Sequence, residues 1–210
     1  MKFSKEQWHM IKALLMVAVF STIFLGVTNM LTRAPIAQAE RQALMDALMQ
    51  VLPKHSNNPL QDTRQITLPK HKHATTFYVS RNQDKSMSGI AWETIAPDGY
   101  NGSIRILMAV RPDGSLNAVR ITHHQETPGL GDGMMNVSWL DHFVDKSLAN
   151  TRWAVKKDGG EFDQFTGATI TPRAVVKAIK KGLEMFDKQR AYLLEDKKPV
   201  AKELTNDALR

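Results

Sequence analysis

Three threonines fall within six residues in the stretch Thr166-Gly167-Ala168-Thr169-Ile170-Thr171, just ahead of Pro172 and an apolar run with helical spacing. The first turn of a helix offers unpaired N–H groups and the positive end of the helix dipole, an arrangement that suits a phosphate. Gly167 and Ala168 keep side-chain bulk away from such a ligand, and Arg173 would add positive charge. The same residues are also accounted for by a helix entrance alone. Thr171 then serves as N-cap, Pro172 occupies the first helical position, and Thr166 shapes the turn into Gly167. Only Thr169 has no structural task under that reading.

A second stretch, Glu126-Thr127-Pro128-Gly129-Leu130-Gly131-Asp132-Gly133, carries three glycines in G-x-G-x-G spacing. This is not a dinucleotide fingerprint, which needs a different spacing between a strand and a helix. It reads either as a tight connection or as a loop whose backbone approaches a planar ligand. Gly129 and Gly131 present no side chain, and Leu130 offers an apolar contact. His123 and His124 are adjacent in a strand-like run, so their side chains point to opposite faces and are ill placed to share a metal. Lys70 to His73 reads as a solvated loop, and neither a G-x-S-x-G elbow nor an H-E-x-x-H pair occurs. There is no cysteine, which excludes disulfides, thiolate-held iron–sulfur clusters and c-type haem attachment. The net charge of +7 is scattered along the chain, which argues against nucleic acid as a partner.

The elements that must position these residues follow from patterning. Ala13 to Leu31 contains no charged residue and, at the rise of an α-helix, spans about 28 Å, close to a bilayer core. Lys2, Lys5 and Lys12 precede it, and Ala37-Gln38-Ala39 resembles a cleavage site, but the apolar run exceeds a signal sequence's usual length and favours a retained anchor. Lys2, Lys5 and Lys12 before the span, against Arg33 and Arg41 after it, place the N-terminus in the cytoplasm and the remainder outside. A second helix, opening near Pro35 and closing at Pro53, is followed by a Pro- and Asn-rich loop to Asp62. Thr75–Ser80, Gly89–Ile95, Ser103–Val110 and Leu116–Thr122 read as the antiparallel strands of a meander, with turn chemistry at Ala96–Gly102 and Arg111–Gly114. A short helix is expected around Ser138–Val144, a break at Lys156–Gln164, and a helix from Pro172 to Leu194 capped by Thr171. The fold class is α+β: a short N-terminus (1–12), a transmembrane anchor (13–31), a helix and linker (32–62), a sheet domain with flanking helices (63–194) and a charged tail (195–210).

Thr166 to Thr171 resembles the flavinylation motif of FMN-binding domains in bacterial respiratory complexes, Ser/Thr-Gly-Ala-Thr-apolar-Ser/Thr. Glu126 to Gly131 resembles the companion loop of those domains. With the single N-terminal span, the chain is similar to the RnfG-type proteins of the Rnf/Rsx ion-translocating electron transport complex and, more distantly, to the NqrC-type proteins of the sodium-translocating NADH:quinone reductase. The resemblance implies FMN held by a phosphoester on Thr169, with Thr166, Gly167, Ala168 and Thr171 completing the attachment site. It implies that Glu126, Thr127, Gly129 and Leu130 lie against the flavin. It further implies a separate flavin transferase that uses FAD, the other subunits of a membrane complex as partners, and an electron-carrier role with no catalysis by the chain alone. The expected location is the bacterial inner membrane, with the globular part in the periplasm. Two rival readings are a non-redox extracytoplasmic binding or scaffold subunit without flavin, and a hydrolase with a threonine nucleophile, for which no base or oxyanion arrangement is recognisable.

Overall fold

The structure is a computed structural model that describes residues 4–67 and 74–195. Lys70 to His73 and the tail beyond Glu195 lie outside the described residues. The chain divides into two compact units, Met1–Leu44 and Met45–Arg210.

The first unit is helical. Helix α1 runs over Lys5–Val51 without interruption and carries Pro35 inside it. The second helix expected to open near Pro35 is thus one with the apolar span. Proline here removes one backbone donor, and no glycine or turn cluster adjoins it to complete a break. The Thr22 and Thr32 hydroxyls donate to the carbonyls of Ala18 and Thr28, each at 2.8 Å, as hydroxyls in an apolar helix must when no other acceptor is near. Among the described residues Gln7–Val51 is the one helix long and apolar enough to cross a membrane, and its most apolar window is not buried at all.

The second unit is built on a five-stranded antiparallel sheet in sequential order: β1 Thr63–Ile66, β2 Thr75–Arg81, β3 Met87–Ala96, β4 Ile104–Val110 and β5 Leu116–His123. The expected meander is present, with one strand more at its edge. Strand β1 is four residues long and mostly polar, so it carries no period-2 pattern to announce it. The β4–β5 connection closes where Gly114, at φ +91°, donates to the Arg111 carbonyl at 2.9 Å, a backbone conformation that favours glycine.

Between β5 and the last helix the chain makes a 3₁₀ turn at Gly131–Met135, a four-residue helix α2 at Val137–Leu140, and further 3₁₀ turns at Asp141–Phe143 and Lys156–Asp158. The expected Ser138–Val144 helix is thus shorter than its pattern suggests. An aromatic cluster of Trp139, Phe143, Trp153, Phe162 and Phe165 fixes this irregular segment, with the Phe143 and Phe162 rings 4.4 Å apart. Helix α3, Ile170–Leu194, lies on one sheet face. Its approach is set by Gly182: a Cβ there would stand 2.5 Å from Met108 Sδ and 3.7 Å from the Trp92 ring. Trp92 stacks on Phe186 with ring centres 6.0 Å apart and meets Phe77 at 5.5 Å. The opposite face receives the end of α1, where Asn117 Nδ2 donates to the Val51 carbonyl at 2.6 Å and Pro53 sits where a Gly89 side chain would stand.

The tight α3–sheet contact generates a stability prediction. Gly182→Leu forces an oversized side chain into a filled core and lowers stability by about 1–3 kcal/mol, despite its better helix propensity, read as a lower midpoint in thermal or denaturant unfolding.

Candidate functional site

The site grows from the start of α3. This helix begins at Ile170 with Thr169 as its N-cap, two residues ahead of the expected start at Pro172. Thr171 is therefore not the cap. It lies inside the first turn, completely buried, and its Oγ1 donates to Glu126 Oε2 at 2.6 Å. Propensity assigns the cap to Thr171, the nearest suitable residue to Pro172, and the distant carboxylate that claims the hydroxyl is invisible to local patterning. Pro172 remains acceptable within the first turn, where the N–H it lacks would have no intrahelical partner. Thr169 caps by position alone: its backbone is helical at φ −88°, ψ −23°, and its side chain makes no capping hydrogen bond.

The chain enters this helix through a turn at Phe165–Ala168, closed by the Ala168 N–H to the Phe165 carbonyl at 3.1 Å and passing through Gly167 at φ +79°. Phe165 anchors the turn from below, edge-on to Trp139 with ring centres 5.1 Å apart. A Cβ at Gly167 would rest 3.4 Å from Leu130 Cδ2, so the turn and the Glu126–Gly131 loop meet there. That loop closes through the N–H groups of Leu130 and Gly131, both directed at the Thr127 carbonyl, with Gly129 at φ +78°.

Glu126 is the joint between the parts. It is 5% exposed, Oε1 accepts from the Asn101 backbone N–H at 3.1 Å, and Oε2 accepts from Thr171. Asn101 Nδ2 also donates to Thr127 Oγ1 at 2.9 Å, which ties the β3–β4 turn to the loop a second time. Two glycines make the socket: a Cβ at Gly131 would stand 2.4 Å from Glu126 Oε2, and one at Gly99 would stand 3.0 Å from Oε1.

These segments enclose an open cleft of about 150 Å³ lined by Tyr100, Glu126, Thr127, Leu130, Gly131, Gly167, Ala168, Thr169, Ile170 and Thr171. The structure thus brings together most of the residues singled out from the sequence. Thr166 and Gly129 stand outside the lining and act on the cleft through the turns they belong to. Tyr100 and Ile170 are additions that no motif signalled, and Tyr100 is 67% exposed. Arg173 does not supply charge to the cleft as expected. Its guanidinium grips Asp158 through two bonds of 2.6 and 2.7 Å, which hold the Asp158 carboxyl below the usual aspartate range and raise the Arg173 guanidinium further. His123 ends β5 opposite Arg105, and His124 Nδ1 accepts the Glu126 N–H at 3.2 Å. Among the described residues no group of three or more His, Asp or Glu side chains is placed to hold a metal ion.

Chemically, the cleft presents a partly exposed threonine hydroxyl at the mouth of a 25-residue helix whose first-turn N–H groups have no side-chain cap. Such a mouth accepts an anion, and glycine-lined walls allow close approach.

Residues 99–184 match the family of FMN-binding domains, and residues 12–51 match the RnfG N-terminal region. The corresponding subunit of the ion-translocating oxidoreductase complex from Aliivibrio fischeri is 43% identical over 179 residues, covering 80% of this chain and 85% of that one. The chain belongs to the RnfG family of ion-translocating oxidoreductase subunits. The Pseudomonas aeruginosa member is 40% identical over 198 residues, covering 88% of this chain and 92% of its own length. The crystal structure of Shewanella oneidensis NqrC shares the fold, with a TM-score of 0.50 at 23% identity over 61% of this chain and 68% of that one.

In this RnfG family member the glycine socket generates a direct test. Gly131→Ala drives a methyl group against the Glu126 carboxylate and costs about 1–3 kcal/mol of stability, seen as a lower unfolding midpoint with faster backbone hydrogen exchange across residues 126–131.

Proposed function

We propose that the chain is the electron-carrying flavoprotein subunit of a membrane-bound, ion-translocating oxidoreductase complex, with FMN esterified through its phosphate to Thr169. The observation that carries the reading is the division among the motif's threonines. Thr171 is buried and committed to Glu126, Thr166 lies outside the cleft lining, and Thr169 lines the cleft with no capping bond. The family membership and the FMN-binding match support the cofactor, and the names of the relatives support the complex.

The residues fit the group. The phosphate would sit at the α3 N-terminus against the first-turn N–H groups, beside the glycine-lined walls at Gly131 and Gly167. A cleft of about 150 Å³ is smaller than the roughly 300 Å³ at which sites begin to enclose a whole small molecule, so the ring would rest on the rim. That rim is apolar and open: Tyr100, Leu130 and Ile170 are 67%, 48% and 46% exposed. Bound FMN supplies the redox chemistry, while the chain positions it and sets the local polarity. In the attachment step Thr169 Oγ1 bonds to the flavin-side phosphorus of FAD, the phosphoanhydride bond to AMP breaks, AMP leaves and the hydroxyl proton is lost. A separate flavin transferase performs it, with no net oxidation or reduction.

The apolar span at the N-terminus supports an anchor in the inner membrane, and the lysines that precede it favour a periplasmic sheet domain. The test is flavin fluorescence of the denatured chain on a gel after expression with the transferase. The wild type and Thr166→Ala retain a fluorescent band, and Thr169→Ala loses it. A dark wild-type band would instead indicate a non-redox binding or scaffold protein, and a bright Thr169→Ala band would move the attachment elsewhere.

A further inference from the structure

We infer that the Glu126 carboxylate and the Thr171 hydroxyl are positioning residues for flavin attachment: their hydrogen bond sets the first turn of α3 so that Thr169 Oγ1 is presented before any flavin arrives. This rests on the reading of Thr169 as the acceptor. It extends that reading to two residues that need not touch the flavin phosphate to matter.

The geometry is specific. A carboxylate buried to 5% exposure accepts at both oxygens, one bond from the Asn101 backbone in the β3–β4 turn and one from Thr171 in α3. Glu126 itself belongs to the loop that forms the other wall of the cleft. One side chain therefore joins three segments of the wall. Thr171 lies two residues along the same helical turn from Thr169, so a rotation of that turn moves both hydroxyls together. The carboxylate also faces the positive end of the α3 dipole, which favours this seat for a negative group. A side chain at Gly131 would run into the carboxylate and one at Gly99 would crowd it, so both glycines leave it its space. A short O–H···O⁻ bond of 2.6 Å is of the strong, charge-assisted kind.

A purely structural role would lower stability, and loading would fall only as the folded fraction falls. A positioning role changes the transfer rate of the folded chain. The full-length chain, purified in detergent from cells lacking the transferase, is incubated with the transferase and FAD. Covalent incorporation is followed by intact mass against chain concentration. Thr171→Val, which keeps shape and removes the hydroxyl, lowers kcat for incorporation by about 100-fold, the scale of a small misplacement of reacting groups, with KM for the chain unchanged. Thr171→Ser restores the rate. Glu126→Asp, which keeps the charge and withdraws it from Thr171, is slowed in the same way and covers the case in which Thr171→Val does not fold. Phe186→Ala, a core variant remote from the lock, melts at a lower temperature yet loads at the wild-type rate while folded. Wild-type rates in folded Thr171→Val or Glu126→Asp, or losses that track melting as in Phe186→Ala, overturn the inference. Failure of the underlying reading shows separately, as flavin retained by Thr169→Ala.

Discussion

A carboxylate taken out of water must be matched by donors, and the burial of Glu126 imposes that demand on three stretches of chain at once. Its two oxygens are met by a backbone N–H from the β3–β4 turn and a hydroxyl from the first turn of α3. Neutral donors and a helix dipole stand in for a salt bridge. The consequences run outward from there. The socket admits no side chain at Gly99 or Gly131, the loop must curl back through Thr127, and Thr171 cannot serve as the helix cap. Thr169 is left at the helix mouth because Thr171 is occupied below it.

Helix α3 is held in the same manner at its far end. Arg64, from edge strand β1, is 8% exposed and donates to the carbonyls of Tyr192 and Leu193 in the last turn of the helix. An anionic group therefore addresses the N-terminal end and a cationic group the C-terminal end, each from a distant part of the chain and each matched to the local sign of the dipole. Between them Gly182 lets the helix settle onto Met108 and Trp92. A helix pinned at both ends and pressed on the sheet in the middle has little freedom to rotate, and its first turn is the wall that carries Thr169. Short strand β1 matters here less for its pairing than for delivering Arg64.

How much of this was legible in the sequence depended on whether the cause was local. Strands β2 to β5 are rich in β-branched and apolar residues, and two of their three connections carry Pro and Gly, so the meander could be read directly. The apolar span and the long C-terminal helix announced themselves by length and period. Strand β1 did not, since four mostly polar residues have no period to detect, and Arg64 looks like any surface arginine until the helix end arrives above it. Pro35 reads as the first turn of a second helix, whereas it lies inside the single helix α1. Thr171 misled because its local role was plausible and its partner lies 45 residues away. Arg173 was placed near the cleft by proximity in sequence, but Asp158 takes both sides of its guanidinium. Tyr100 sits in a turn that reads as ordinary turn chemistry, and the two bonds from Asn101 to Glu126 and Thr127 hold that turn at the rim.

The size of the cleft bears on why a covalent bond would be used at all. A shallow site that leaves the larger part of a ligand outside gains little by burial, so non-covalent affinity would have to come from a deeper pocket that also hides the ring. An electron carrier needs the opposite, a ring held in one place yet open to its partners. Were the phosphate fixed by a bond to Thr169, as proposed, retention would no longer depend on enclosure, and the walls would need only to set orientation. The structure has the features that division of labour requires: a rigid, polar-locked floor built from Glu126, Asn101 and Thr171, and an apolar, open rim built from Tyr100, Leu130 and Ile170. All of these residues belong to the second unit, so the cleft is assembled from the sheet domain alone.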